Sequence, residues 1–333
     1  MKKILNKPVD YVDETLDGLI AAHPEYYQLY GDTDRVVSRA QETPEGKVGI
    51  VTGGGSGHLP VFTGYVGKGL LDACAIGDVF ASPSAEQMAD ALRVADRGAG
   101  VLRLYGNYGG DVMNFDMAGD LVDFDDITST TVLLADDVAS ASLEERDKRR
   151  GVAGMVYAFK TAGAAAEAGQ DLNAVTAVAQ KTADACRSIG VALGPCTVPQ
   201  AGKPTFQIAD DEMEIGMGIH GEPGMRRGKL LPADDIANEM MDRLLEDQPL
   251  NSGDKVSVMV NSLGATPPEE LYILYRTVKA RIEATGASIV MPLVGRYATS
   301  MEMSGVSFTL CKLDDELESL LKAPCDCAFW RVG

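Results

Sequence analysis

Between residues 49 and 60 the chain reads Gly-Ile-Val-Thr-Gly-Gly-Gly-Ser-Gly-His-Leu-Pro. Four of the five residues from 53 to 57 are glycine, and an apolar run precedes them. Glycines after a strand mark a backbone that must turn sharply or approach something closely. The pattern predicts a short buried strand over 48–51, a glycine loop, and a helix opening near Pro60. The same order recurs downstream. Residues 100–105 read as a second strand, 106–111 as a loop, and a helix follows from about Val112. A third strand covers 130–134 and ends on Asp136-Asp137. Strands alternating with helices imply a mainly parallel sheet covered on both faces.

The first 45 residues read as surface helices and loops. Residues 152–187 form a long alanine-rich helical tract that breaks at Gly169 and resumes after Asp171. The proline- and glycine-bearing stretch 192–204 reads as a domain connection. Beyond it the α/β theme returns, with strands at 255–260, 288–292 and 307–312 and a helix over 267–285. The expected architecture is α/β, two domains with mainly parallel, helix-covered sheets. Residues 1–190 carry the glycine-rich loop and Asp111, and residues 191–333 carry His220.

Charge narrows the partners. Thirty basic against forty-nine acidic side chains leave a net charge of −19. That excess argues against nucleic acid and against anionic membranes, which both reward positive charge. No apolar run approaches the roughly 20 residues that cross a bilayer. The N-terminus lacks the apolar core of a signal peptide, so a cytoplasmic protein is expected. Six cysteines are too few and too irregular for a disulfide framework. They are expected to be reduced, mostly buried thiols.

The chemistry concentrates at a few positions. A Walker loop needs Lys-Ser/Thr after its last glycine, but His58 and Leu59 stand there. The dinucleotide fingerprint needs a glycine where His58 sits. His58 and Asp111 lie on two strand-to-helix loops that would face one crevice beyond the strand ends. Asp111 also suits a helix N-cap. His220, among Gly218, Gly221, Pro223 and Gly224, is held accessible by a stiff turn. Two histidines and a carboxylate could hold a metal, or supply a nucleophile, a base and a hydrogen-bond partner. No pair sits at the i, i+3 or i, i+4 spacing of a helical metal site. His23 reads as surface, Met217, Met225, Met240 and Met241 as core, and Arg146 to Arg150 as a charged helix face or loop.

Five motifs in order close the sequence argument: residues 53–58, 107–111, 194–199, 217–224 (Met-Gly-Ile-His-Gly-Glu-Pro-Gly) and 261–267 (Asn-Ser-Leu-Gly-Ala-Thr-Pro). Together they closely resemble the K subunit family of dihydroxyacetone kinases, over essentially the whole chain. The resemblance implies that His220 attacks the carbonyl of a short-chain keto sugar, dihydroxyacetone or erythrulose, forming a covalent hemiaminal. It implies that Asp111 takes the proton from the terminal hydroxyl as that oxygen attacks phosphorus. His58 would hydrogen-bond the substrate and share general-base work. Gly54, Gly55, Ser56 and Gly57 would bring main chain onto the sugar, with Ser82 and Gly106 beside the pocket.

No cofactor is expected on this chain. Mg-ATP or Mg-ADP would sit on a separate L subunit, recharged in some relatives by a phosphotransferase-system phosphocarrier. A homodimer is the expected assembly. Gly106 stands where lysine is common in dihydroxyacetone-specific subunits, and Leu59 where glutamate is common. Loss of the lysine would open space for a four-carbon ketose. The alternative reading is a keto-sugar-binding coactivator or sensor without kinase activity. A metal-dependent aldolase or isomerase is the third.

Overall fold

The computed structural model describes residues 2–333. Two sheets stand on either side of a shared layer of helices. The first has six strands in the order β1-β2-β4-β3-β5-β6: β1 (Tyr27–Tyr30), β2 (Val36–Arg39), β3 (Gly49–Ser56), β4 (Ala73–Val79), β5 (Val101–Gly106) and β6 (Ser129–Leu134). β3 to β6 pair in parallel, and β1 and β2 add an antiparallel edge. That edge replaces part of the loop-and-helix region expected of the first 45 residues. A helix is also present there, α1 (Tyr11–Ala22).

The strands alternate as a two-faced sheet requires. Val36, Val51, Ala73, Val101 and Tyr105 face α2 (Ala85–Ala95) and α3 (Gly109–Asp123). Val37, Ile50, Cys74, Leu102 and Val132 face α4 (Gly154–Glu167) and α5 (Leu172–Ala185). The expected helix break falls between α4 and α5. Gly169 takes φ +77°, and the Asp171 side chain caps α5 by accepting from the Ala174 N–H.

The second sheet contains β7 (Cys186–Gly194), β8 (Glu212–Ile215), β9 (Arg226–Lys229), β10 (Lys255–Ser262), β11 (Ser288–Ile289), β12 (Leu293–Gly295) and β13 (Ser304–Leu313). Its outer face carries α6 (Ala233–Asp247) and α7 (Pro268–Glu283). Its inner face meets α4 and α5, with α8 (Asp315–Lys322) against α4. A ribbon of β14 (Cys325–Asp326) and β15 (Arg331–Val332) ends the chain.

Three expectations change here. The sheet is mainly antiparallel: β7, β8, β9, β10 and β13 pair that way, and β11 and β12 alone join β10 in parallel. A division at residue 190 would cut β7, which lies in the second sheet from Cys186 onward. The glycines 53–55 are not a loop. They are the buried second half of β3, and no helix opens at Pro60, where turns lead to a 3-10 turn at Thr63–Tyr65. A Cβ on Gly54 would land on the Phe62 ring, and one on Gly55 on the Phe80–Ala81 backbone. Glycine is needed because neighbouring chain crosses directly over the strand.

The shared layer has its own composition. Every residue of α4 from Gly154 to Ala166 is buried: Met155, Tyr157, Phe159 and Lys160 fill its first half, and the run Gly163 to Ala166 is small, so a layer can pack on each side. All six cysteines are free and buried. Met217, Met240 and Met241 fill core as expected, whereas Met225 is exposed. No helix among the described residues is long and apolar enough to cross a membrane.

Candidate functional site

The carboxyl ends of β3, β4 and β5 meet two loops from the second sheet. From β3, Gly57 (φ +108°) turns the chain so that His58 points inward. Residues 57–59 are then strapped to 299–301. The Met301 N–H donates to the Gly57 carbonyl at 2.7 Å, and the Thr299 hydroxyl to the Leu59 carbonyl at 3.0 Å. His58 Nδ1 lies 2.7 Å from the Thr299 carbonyl oxygen. A carbonyl only accepts, so Nδ1 carries the proton and Nε2 keeps its lone pair. Nε2 is buried without a protein partner. Burial, helped by the nearby His220 charge, lowers the His58 pKa to about 3.

His220 sits in the β8–β9 connection. The Gly221 N–H closes a turn on the Gly218 carbonyl, and the Gly218 N–H donates to the Glu222 carbonyl. Gly218 has no room for a side chain, because a Cβ would fall on the Glu222 carboxylate and the Arg150 guanidinium. Glu222 grips the histidine twice. Its carboxylate accepts from the His220 backbone N–H and from Nδ1, each at 2.9 Å. His220 is therefore held with Nδ1–H toward the carboxylate and the Nε2 lone pair free, the arrangement of an activated imidazole. Burial works against the Glu222 charge, but the His220 hydrogen bond and charge and the Arg150 charge outweigh it and hold its pKa at about 2.

Aromatic rings fix the two histidines against each other. His58 and His220 meet edge to face at 4.8 Å between centroids. Phe80, at the end of β4, stacks on His58 at 4.8 Å, and Tyr108 meets His220 edge to face at the same separation. Tyr108 is anchored by its hydroxyl, which donates to the Gly151 carbonyl.

Asp111 lies in the first turn of α3 and is only 8% exposed. The capping position is Tyr108, so Asp111 is not the N-cap, and its Oδ1 is buried without a hydrogen-bond partner. Burial pushes its pKa up to about 6, while the Ser82 hydroxyl and the His220 charge pull the other way. Ser82 also faces α3, accepting from the Asn114 amide at 3.3 Å. The structure thus gathers His58, His220, Asp111 and Ser82 at one place. His23 lies apart, as the half-buried cap of α1 beside Tyr27.

On their side-chain side, Gly54 and Gly55 face Phe62 and the Phe80–Ala81 backbone. Gly54 admits the Phe62 ring, and Gly55 admits the Phe80–Ala81 backbone that carries Phe80 onto His58. Ser56 and Gly57 continue the strand into the site. At Gly106 a Cβ would meet the Tyr108 ring at 3.2 Å and the Met155 sulfur at 3.3 Å. A side chain here would need the Tyr108 ring and the Met155 thioether to shift by a few tenths of an ångström.

Sequence reasoning missed Glu222, Arg150, Tyr108 and Phe80 as parts of the site. Arg146 to Arg150 is not simply a charged face. Arg149 is buried and bidentate to Asp247, and Arg150 pairs with Asp137 while reaching Glu222 at 3.8 Å. A usable signal existed for Glu222: a carboxylate two residues beyond a histidine inside a glycine turn. Among the described residues no group of three or more His, Cys, Asp or Glu side chains is placed to hold a metal ion.

The Dak1 domain model matches residues 17–329. A Listeria innocua protein described as the dihydroxyacetone-binding subunit of PTS-dependent dihydroxyacetone kinase 1 is 45% identical, over 99% of this chain and all of that one. An L-erythrulose 1-kinase of Mycolicibacterium smegmatis is 41% identical over the full chain, which spans only 58% of that longer protein. The solved structure of the dihydroxyacetone kinase operon co-activator aligns with TM-score 0.87 at 31% identity, covering 94% of this chain and 96% of that one. The chain belongs to the Dak1 family, that of the dihydroxyacetone kinase K subunits.

Proposed function

We propose that this protein is the substrate-binding catalytic subunit of a ketose kinase, working in the cytoplasm as a homodimer with a nucleotide-bearing L subunit. The observation that carries the reading is the pairing of His220, clamped by Glu222 at 2.9 Å, with a buried Asp111 whose pKa is raised to about 6. The first group is built to add to a carbonyl, the second to accept a proton near neutral pH.

In the first step the His220 Nε2 lone pair forms a bond to the ketone carbon, and the C=O π electrons move to oxygen. That oxygen takes up a proton, the ring releases its Nδ1 proton, and a neutral hemiaminal results. Glu222 offsets the positive charge on the ring as the bond forms. Tethering removes the entropy cost of holding a small ligand during the second step. There the terminal hydroxyl gives its proton to Asp111 as its oxygen bonds to phosphorus and the donor's P–O bond breaks. His58, with a pKa of about 3, is too weak a base to share that proton. Its Nε2 serves as a hydrogen-bond acceptor for a substrate hydroxyl. Mg-ATP on the L subunit, or Mg-ADP recharged by a phosphotransferase-system phosphocarrier, supplies the phosphoryl group.

The substrate is a short-chain ketose of three or four carbons. The experiment is phosphate transfer to dihydroxyacetone, D-erythrulose and L-erythrulose with an L subunit active beside another K subunit. Turnover on any of them is expected, and their ratio assigns the substrate. The likeness to the co-activator supports a second reading, a ketose sensor. A ketose adduct on His220 without turnover, while the reference pair is active, would favour it.

A further inference from the structure

Helix α3 is apolar on two opposite sides. Its inner side buries Phe115, Ala118 and Val122 against the first sheet. Its outer side bears Met113, Met117 and Leu121, 60%, 53% and 37% exposed, and Phe124 follows just past its end at 88%. These four recur at spacings of 4, 4 and 3 residues, which aligns them as one stripe along about 17 Å of helix. Single exposed apolar residues need no explanation, but an aligned stripe of large ones marks a covered surface. Methionine suits such a role, because its flexible thioether adapts to a partner's relief.

Two observations identify the occupant. The helix that bears the stripe also bears Asp111 in its first turn, on the buried side with Phe115, so a body delivering a phosphoryl group there meets the N-terminal end of α3, where the stripe begins at Met113. The stripe is also edged by exposed acids, Asp116, Asp120, Asp123 and Asp126. A second copy of this chain, docked isologously on α3, would bring like charges face to face. A body with an apolar contact face and a Lys/Arg rim would not. We infer that the outer face of α3 is the docking surface for the phosphoryl-donor subunit, held by an apolar centre and an acid-to-base rim. The inference rests on the kinase reading above and adds the surface through which that reaction is assembled.

The test measures affinity for the nucleotide-bearing subunit that partners the Listeria innocua relative, by calorimetry with Mg-ATP, alongside phosphate transfer. Two variants are compared with the wild-type chain, M117D/F124D and D116K/D120K, each checked for an unchanged melting temperature and oligomeric state. At least tenfold weaker binding is expected for the first. For the second, weaker binding that no longer falls as salt is raised is expected. Affinity within twofold of wild type for both, or no binding by the wild-type chain, overturns the inference. A variant that changes the chain's own oligomeric state overturns it too, by assigning the stripe to self-association. Binding lost on substitution but no transfer by the wild-type pair would sink the kinase reading alone. Transfer with unaltered affinity would sink the docking surface alone.

Discussion

Asp111 sets the acid limb of the reaction. A base must be ionised to accept a proton, so kcat/KM should fall below the Asp111 pKa of about 6 and level off above it. A profile flat down to pH 4.5 would remove Asp111 from that role. The same group acts on stability with the opposite sign. Its folded pKa lies above the usual carboxylate value, so its ionisation costs stability as pH rises through the interval from 3.8 to about 6. Asp111→Asn should therefore abolish turnover, leave the His220 adduct detectable by mass, and stabilise the fold at pH 7 by on the order of 2 kcal/mol. Glu222→Gln keeps the shape but removes the charge behind His220. It should slow adduct formation at least tenfold while leaving the fold intact, measured by stopped-flow or mass spectrometry; an unchanged rate would make Glu222 a structural latch only. At this scale His58, Asp111 and His220 were legible, because rare residues stood inside glycine-bounded motifs. Arg150 was not. Arg146, Asp147 and Lys148 just before it are charged and exposed, and only the fold turns it toward Asp137 and Glu222.

At the scale of elements, β5, α3, β6 and the α4–α5 break were readable from periodicity, capping and Gly169. The rest of β3 was not, since glycine is depleted in strands and a run of it reads as a turn. What admits it is the crossing of Phe62 and the Phe80–Ala81 chain, a long-range contact with no local trace. Strand direction in the second sheet was equally hidden, because alternation shows which face is buried and not which neighbour a strand meets. The middle of α4 carries a testable oddity. Lys160 is wholly buried, its ammonium donating to the Leu320 carbonyl at 2.7 Å, and burial lowers its pKa to about 8. The charged form is disfavoured in the fold. This destabilisation is full below pH 8 and fades as pH rises toward the unfolded value of 10.5. Lys160→Met should raise stability at pH 7 by on the order of 2 kcal/mol, less the loss of one hydrogen bond, with the gain shrinking toward pH 10. Denaturant titration at the two pH values checks it, and a destabilised variant would show that the ammonium is well accommodated.

At the scale of the molecule, α4 and α5 belong to both sheets. Val37, Ile50, Leu102 and Val132 of the first sheet and Met259, Cys311 and Leu313 of the second lie in one continuous core around them. Neither sheet can lose its partner without baring a helix that has no polar face. Calorimetry should therefore record one unfolding transition with matching calorimetric and van't Hoff enthalpies, and two resolved transitions would contradict the shared core.

The same shared layer limits how such proteins can be recombined. A hybrid joining the first half of this chain to the second half of a relative inherits a middle layer whose two faces come from different parents. Its seam is a packed interior and not a linker, so every mismatch in side-chain volume becomes a void or a clash. Exchange at loop ends or within the β8–β9 turn would preserve that interior. New specificity in this family is thus more accessible through its turns than through traded halves.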